Sequence, residues 1–341
     1  MRVPERQSAH SAPPRSSAKP PERLVWIDAA RLLAMGMVAL QHLIKICDLE
    51  PSQVVLGLEP GPIGLAMFFS ISGLLAAQDR HGDPVSWLTK RLTRIYLPYW
   101  IAVVGLLLLN YFVQYKPEPL SLVLAELAGV VVWTQQGDIL GMYLWFVSLL
   151  LFCYLLTAVV KFERRVLPIM IAVSILWLWW DASFASFTLS FLTGLTLGLS
   201  ADQPSPKIAV SIALGAAVLA FTVHPGFACV TIASLTMLTT AIPFSLQSHT
   251  TAIIARLSGM TYHFYLVHVP IYLAVEHFFP HRLAIVFLLG TAGAALGAVA
   301  LYLLEIYLRK GFFSLTARQR QGSPTYATAR SSAGSATTSR R

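Results

Sequence analysis

The chain carries about ten apolar stretches of the ~17 to 25 residues that a helix needs to cross a bilayer. They lie near 24–46, 60–79, 95–114, 142–160, 165–181, 183–200, 207–223, 227–246, 257–278 and 282–308. No other feature constrains the fold as strongly. In hydrocarbon every backbone N–H and C=O must find a partner within the protein, and a helix satisfies that demand segment by segment. With 56% hydrophobic and only 12% charged residues over 341 positions, the chain is too apolar for a soluble domain. The sequence therefore predicts an all-α fold, a polytopic transmembrane bundle.

A further apolar piece, 120–135, is short and contains Glu126. Charge places it. If it does not cross, the basic positions Arg80, Lys90, Arg91, Arg94, Lys161–Arg165, Lys207, Arg256, Arg309 and Lys310 all fall on the cytoplasmic side. Asp48, Glu50, Glu59 and Asp181 then fall outside. The expectation is about ten spans plus one re-entrant or interfacial segment, with both termini cytoplasmic. Residues 1–23 and 311–341, rich in Pro, Ser, Ala and Arg, read as disordered basic cytoplasmic tails around a transmembrane domain at 24–310. The first apolar stretch contains Asp28 and Arg31 and lacks a small-residue cleavage site, so it reads as a retained span rather than a signal peptide.

The net charge of +9 resides in tails and short loops, where topology accounts for it without nucleic acid. Cys47, Cys153 and Cys229 lack metal or redox spacing and read as packing residues. Glycines at 194/198 and 293/297 offer small-xxx-small packing faces. Glu276, His277 and His281 flank Pro280 at an outer loop and make a poor metal set, so no metal is expected. His81, His224, His249 and His263 read as loop or interface residues.

The first span raises a sharper question. Asp28 and Arg31 are three residues apart, close enough to pair on a helix. Arg31 and His42 share a face at ~16 Å separation, beyond hydrogen-bond reach. An ionisable group at membrane depth costs at least ~2.5 kcal/mol, so such groups pair with one another or line a polar cavity. A helix that merely spans needs none of them.

Five stretches, taken in order and spacing, carry a resemblance. They are "IDAARLLAMGMVALQH" at 27–42, "MFFSISG" at 67–73, "KRLTRIYLPYW" at 90–100, "YLWFVSLLLFCY" at 143–154 and "LSGMTYHFYLVHVPI" at 257–271. Together they resemble the membrane-bound acyltransferase family 3. Arg31 and His42 match that family's Arg-x(10)-His, and Phe68, Phe69, Ser72 and Gly73 its Phe-Phe pair followed by Ser-Gly. Arg91, Arg94, Ile95 and Pro98 approach its basic stretch, with one extra residue before the proline, and Trp145 and Phe146 match its Trp-Phe pair. Thr261, Tyr262, Tyr265, Leu266 and His268 match its late Ser-Tyr-x-x-Tyr-Leu-x-His pattern, with threonine in place of serine. Glu305 stands near the end without the proline that often follows.

The resemblance implies an integral membrane O-acyltransferase of the bacterial inner membrane. It implies an acyl-coenzyme A donor, by default acetyl-coenzyme A, as co-substrate with no permanently bound cofactor. A carbohydrate or glycolipid is the implied acceptor. His42 is then the candidate base, because a sugar hydroxyl is a poor nucleophile while protonated; direct transfer and passage through an acyl-imidazole both remain open. Arg31, with Asp28 as counter-ion, would order the cavity or contact the donor. Arg91 and Arg94 would hold donor phosphates through their guanidinium forks. Ser72, Trp145, Tyr262, Tyr265, His268 and Glu305 would line or support the cavity. The competing classes, a membrane carrier or a flippase, would also bury charge along a path but would consume no thioester.

Overall fold

In a computed structural model the chain is described over residues 23–79, 83–113, 119–134, 142–200, 205–239 and 248–321. Tail residues 1–22 and 322–341, together with Arg80 and His81, lie outside the described residues. Among the described residues the regular structure is helical: α1 (Arg23–Ile46), α2 (Pro60–Gln78), α3 (Pro84–Val113), α4 (Leu120–Ala128), α5 (Trp145–Phe162), α6 (Val166–Trp177), α7 (Ala182–Ser200), α8 (Pro206–Thr222), α9 (Phe227–Thr239), α10 (Ser248–Gly259), α11 (Thr261–Phe278), α12 (Leu283–Ile285) and α13 (Thr291–Gln321). A π-helical turn, Val286–Gly290, joins α12 to α13.

Among the described residues six segments are long and apolar enough to cross a membrane: Val25–Ile46, Pro60–Gln78, Pro84–Leu108, Trp145–Phe162, Ala182–Ser200 and Leu283–Lys310. The expected count of about ten is not reached by this measure. The stretches near 165–181, 207–223 and 227–246 form the shorter apolar helices Val166–Trp177, Pro206–Thr222 and Phe227–Thr239. The stretch at 257–278 breaks at Met260 between α10 and α11. Hydropathy registers how apolar a stretch is but not where turns interrupt it, which explains the difference. The piece at 120–135 becomes α4, nine residues long, and a turn of 3₁₀ helix at Val131–Thr134, too short to cross. The chain is a multi-pass membrane protein.

The helices form two compact units. The first comprises residues up to Val38, Gln53–Arg80 and Pro168–Gly259. Within it α2 packs most extensively on α7, and α9 packs on α2, α7 and α8. Small residues permit the α2–α7 approach. A Cβ on Gly73 would strike the backbone of Phe191, and one on Gly194 the backbone of Ser70. Most polar residues of α7 are satisfied locally. Ser190 donates to the Ser186 carbonyl at 2.8 Å, Thr193 to Leu189 at 2.8 Å and Thr196 to Leu192 at 2.7 Å, while the buried Thr188 hydroxyl has no hydrogen-bond partner among the described residues. Leu178, Ala185, Leu189, Ala216, Phe227 and Val230 form an apolar core joining α6 to α9.

The second unit comprises Ala39–Ser52, His81–Leu167 and the residues from Met260 onward. Here α11 lies along α13, with Gly293 and Gly297 against Ile271 and Val267, while α3 packs on α5, α11 and α13. The short α4 ends in this unit on Gly129, whose φ of 68° suits a left-handed cap. Its last carbonyls, which a helix leaves unpaired, find donors on α3. The Tyr96 hydroxyl reaches the Ala128 carbonyl at 2.7 Å and the Trp100 indole N–H the Leu127 carbonyl at 2.8 Å. The Tyr99 hydroxyl donates to the Glu126 carbonyl, which also accepts the Gly129 N–H.

Candidate active site

In the second unit the chemistry-bearing side chains gather on α11. Pro270 sits inside that helix and cannot donate to the carbonyl four residues before it, that of Leu266. The Tyr143 hydroxyl fills the vacancy at 2.9 Å, and the Tyr265 hydroxyl donates back to the Tyr143 carbonyl. This exchange ties the 3₁₀ turn Met142–Leu144, which leads into α5, to the middle of α11. It also fixes the backbone at Tyr265, whose carbonyl lies 2.7 Å from Nδ1 of His268.

His268 is fully buried, with Phe264, Tyr143, Tyr265 and Tyr272 around its ring at centroid distances of 5.7, 6.1, 5.6 and 5.8 Å. Tyr272 in turn rests on Gly290 in the π-helical turn, where a Cβ would collide with its ring. The other edge of His268 meets the last turns of α1. Nε2 of His268 lies 2.8 Å from Nδ1 of His42, with the ring planes 6° apart and centroids at 5.0 Å. Nearly coplanar rings joined through facing nitrogens lie edge to edge. His42 itself is only half-buried. The histidine expected as base and the one expected to line the cavity are therefore one hydrogen-bonded pair.

A second polar cluster joins α11 to α13. Glu305 is buried; Oε2 lies 2.6 Å from Nε2 of His263, and Oε1 lies 2.7 and 2.6 Å from the Nε and a terminal nitrogen of Arg309. His263, expected at a loop or interface, is instead buried in this cluster, with Tyr302 edge-on at 5.3 Å. No local pattern announces it, because its partner is 42 residues away. Tyr262 donates from its hydroxyl to the Ile95 carbonyl at 3.3 Å, which makes it a tie between α11 and α3.

The remaining expected residues are placed as follows. In the first unit Asp28 accepts the Ser258 hydroxyl at 2.6 Å, and the Arg31 guanidinium lies 6.0 Å from the Phe68 ring centroid. Ser72 is buried on α2. In the second unit Trp145 opens α5, half-buried. The Arg91 guanidinium lies 5.6 and 6.0 Å from the Trp87 and Tyr154 rings, Lys161 lies 5.0 Å from the Trp87 ring, and Arg94 is exposed. Cations over desolvated aromatic faces are held by the ring quadrupole.

The protein combines apolar helices of membrane-spanning length with a hydrogen-bonded histidine pair on facing helix turns. The model of the acyltransferase domain, family 3, matches residues 24–303, and the chain belongs to that family. No curated protein and no solved structure matches it. The matched stretch includes both histidines, Glu305 lying just beyond it, so the activity to be explained is acyl transfer within the membrane domain.

Proposed function

We propose that this membrane acyltransferase moves an acyl group, by default acetyl, from acyl-coenzyme A to a hydroxyl of a carbohydrate or cell-surface glycan. His42 is its general base. One observation carries the reading: His42 is the half-exposed member of the pair, with one ring nitrogen held by His268 and the other without a hydrogen-bond partner among the described residues. A base must be held in position and still reach substrate. Arg91 and Arg94 would take the donor phosphates, and the enzyme would sit in a bacterial inner membrane with both termini cytoplasmic.

The test is release of free coenzyme A from acetyl-coenzyme A by the purified protein in detergent, with and without a glycan hydroxyl acceptor. A carrier or flippase consumes no thioester. His42→Gln should remove the acceptor-dependent rate, a loss of ~10² to 10⁴ for a positioned base, while the protein still inserts. A His42→Gln protein that acylates its acceptor near the original rate would remove His42 from the reaction.

A further inference from the structure

Resting on the reading of His42 as base, we infer that His268 is a positioning residue that fixes which nitrogen of His42 reacts. The inference follows from proton counting. The Tyr265 carbonyl has no proton to give, so the 2.7 Å contact requires Nδ1 of His268 to carry one. A neutral imidazole has a single N–H, which leaves Nε2 of His268 a lone pair. The neutral form is the one this site suits. The ring is fully buried, its ring neighbours are Phe264, Tyr143, Tyr265 and Tyr272, and its other partner is an imidazole rather than a carboxylate.

The 2.8 Å bond between the histidines then has one direction: Nδ1–H of His42 donates to Nε2 of His268. His42 is held in the Nδ1-protonated tautomer, and its Nε2 carries the lone pair. The near-coplanar rings are the arrangement such a bond prefers, since both the N–H and the lone pair lie in the ring plane. The two histidines thus divide the work. His268, with no exposed surface, touches no substrate; His42 does.

In the reaction, Nε2 of His42 takes the acceptor hydroxyl proton as that oxygen bonds to the thioester carbonyl carbon. The carbon–sulfur bond breaks, and the same nitrogen returns the proton to the departing coenzyme A thiolate. Ester and free thiol leave, and both rings recover their starting state. In the interval the positive charge is shared along the Nδ1–H···Nε2 bond between two imidazoles, so no carboxylate is needed behind the base.

The measurement is ¹⁵N NMR of the detergent-solubilised protein labelled at histidine, with the His42 signals assigned by their loss in His42→Gln. The expected result is a protonated Nδ1 and an unprotonated Nε2 on His42 in the wild-type protein. In His268→Leu the proton should move to Nε2 of His42, with kcat falling roughly 10²-fold and KM for acyl-coenzyme A unchanged. In His268→Gln, whose amide oxygen can replace the lost acceptor, the Nδ1-protonated form and most of kcat should return. A wild-type His42 protonated at Nε2, or full kcat in His268→Leu, overturns the inference. Because the tautomer is read without turnover, an active His42→Gln enzyme would defeat the base assignment while the NMR result decides the positioning role separately.

Discussion

Replacing Glu305 should destabilise the protein more than replacing Glu305 together with its cationic partner. Its carboxylate receives two Arg309 nitrogens at 2.7 and 2.6 Å and His263 at 2.6 Å, in a buried position. Hydrogen bonds to a charged group contribute ~1.5 to 3 kcal/mol each, and breaking a buried ion pair from one side costs ~3 to 5 kcal/mol because a charge is left behind. The Arg309 side chain is 36% exposed and can recover part of its hydration, which selects the lower end. Glu305→Ala should therefore cost about 3 kcal/mol, a fall of roughly 4 °C in the unfolding midpoint for a chain of this length. Glu305→Gln, which keeps an acceptor for Arg309 and an amide for His263, should cost about 1 kcal/mol. Thermal unfolding in detergent, followed by thiol labelling of buried Cys153, reads all three variants. Glu305→Ala/Arg309→Met should melt above Glu305→Ala, since the stranded cation is gone. A double variant that melts at or below Glu305→Ala would refute the account of Glu305 as the counter-charge of this cluster.

Gly194→Ala should destabilise by about 1 to 3 kcal/mol, because the added methyl meets the Ser70 backbone, whereas Gly215→Ala in α8, with open space around it, should be neutral or gain up to about 1 kcal/mol in helix propensity; chemical or thermal unfolding ranks them. Tyr96→Phe and Tyr99→Phe should each cost about 1 kcal/mol, the first because the Ala128 carbonyl is exposed and the second because the Glu126 carbonyl keeps the Gly129 N–H. If Arg91 and Arg94 hold donor phosphates, Arg94→Gln should weaken acyl-coenzyme A binding about tenfold at unchanged stability, while Arg91→Gln should lower both, having lost the Trp87 and Tyr154 faces. Equilibrium binding and a melting curve separate the two effects.

Much of the architecture follows from local pattern. The first, second, fifth and seventh helices fall within a few residues of the apolar stretches that predict them, because a spanning helix is written in consecutive residues. The glycines at 194/198 and 293/297 announce close packing, and it occurs. The site is less legible. His42 and His268 stand out separately in the sequence, but their bond joins residues 226 apart, and only the fold brings them together. His263 escapes for the same reason. The Arg31 guanidinium near the Phe68 ring and the Ser258 hydroxyl on Asp28 join residues 37 and 230 apart. Side-chain pairing of this kind depends on which helices become neighbours, and periodicity does not encode that.

The capped end of α4 bears on how the protein is made. Nine residues are too few to span a bilayer, so α4 depends on its neighbours to hold it in place. Its exposed carbonyls are matched by Tyr96, Tyr99 and Trp100, all on α3, the helix synthesised immediately before it. The acceptors thus emerge from the ribosome after their donors are in place. Gene order along the chain doubles as an assembly schedule, and a circular permutation that placed α4 ahead of α3 would present its last carbonyls before their side-chain donors exist.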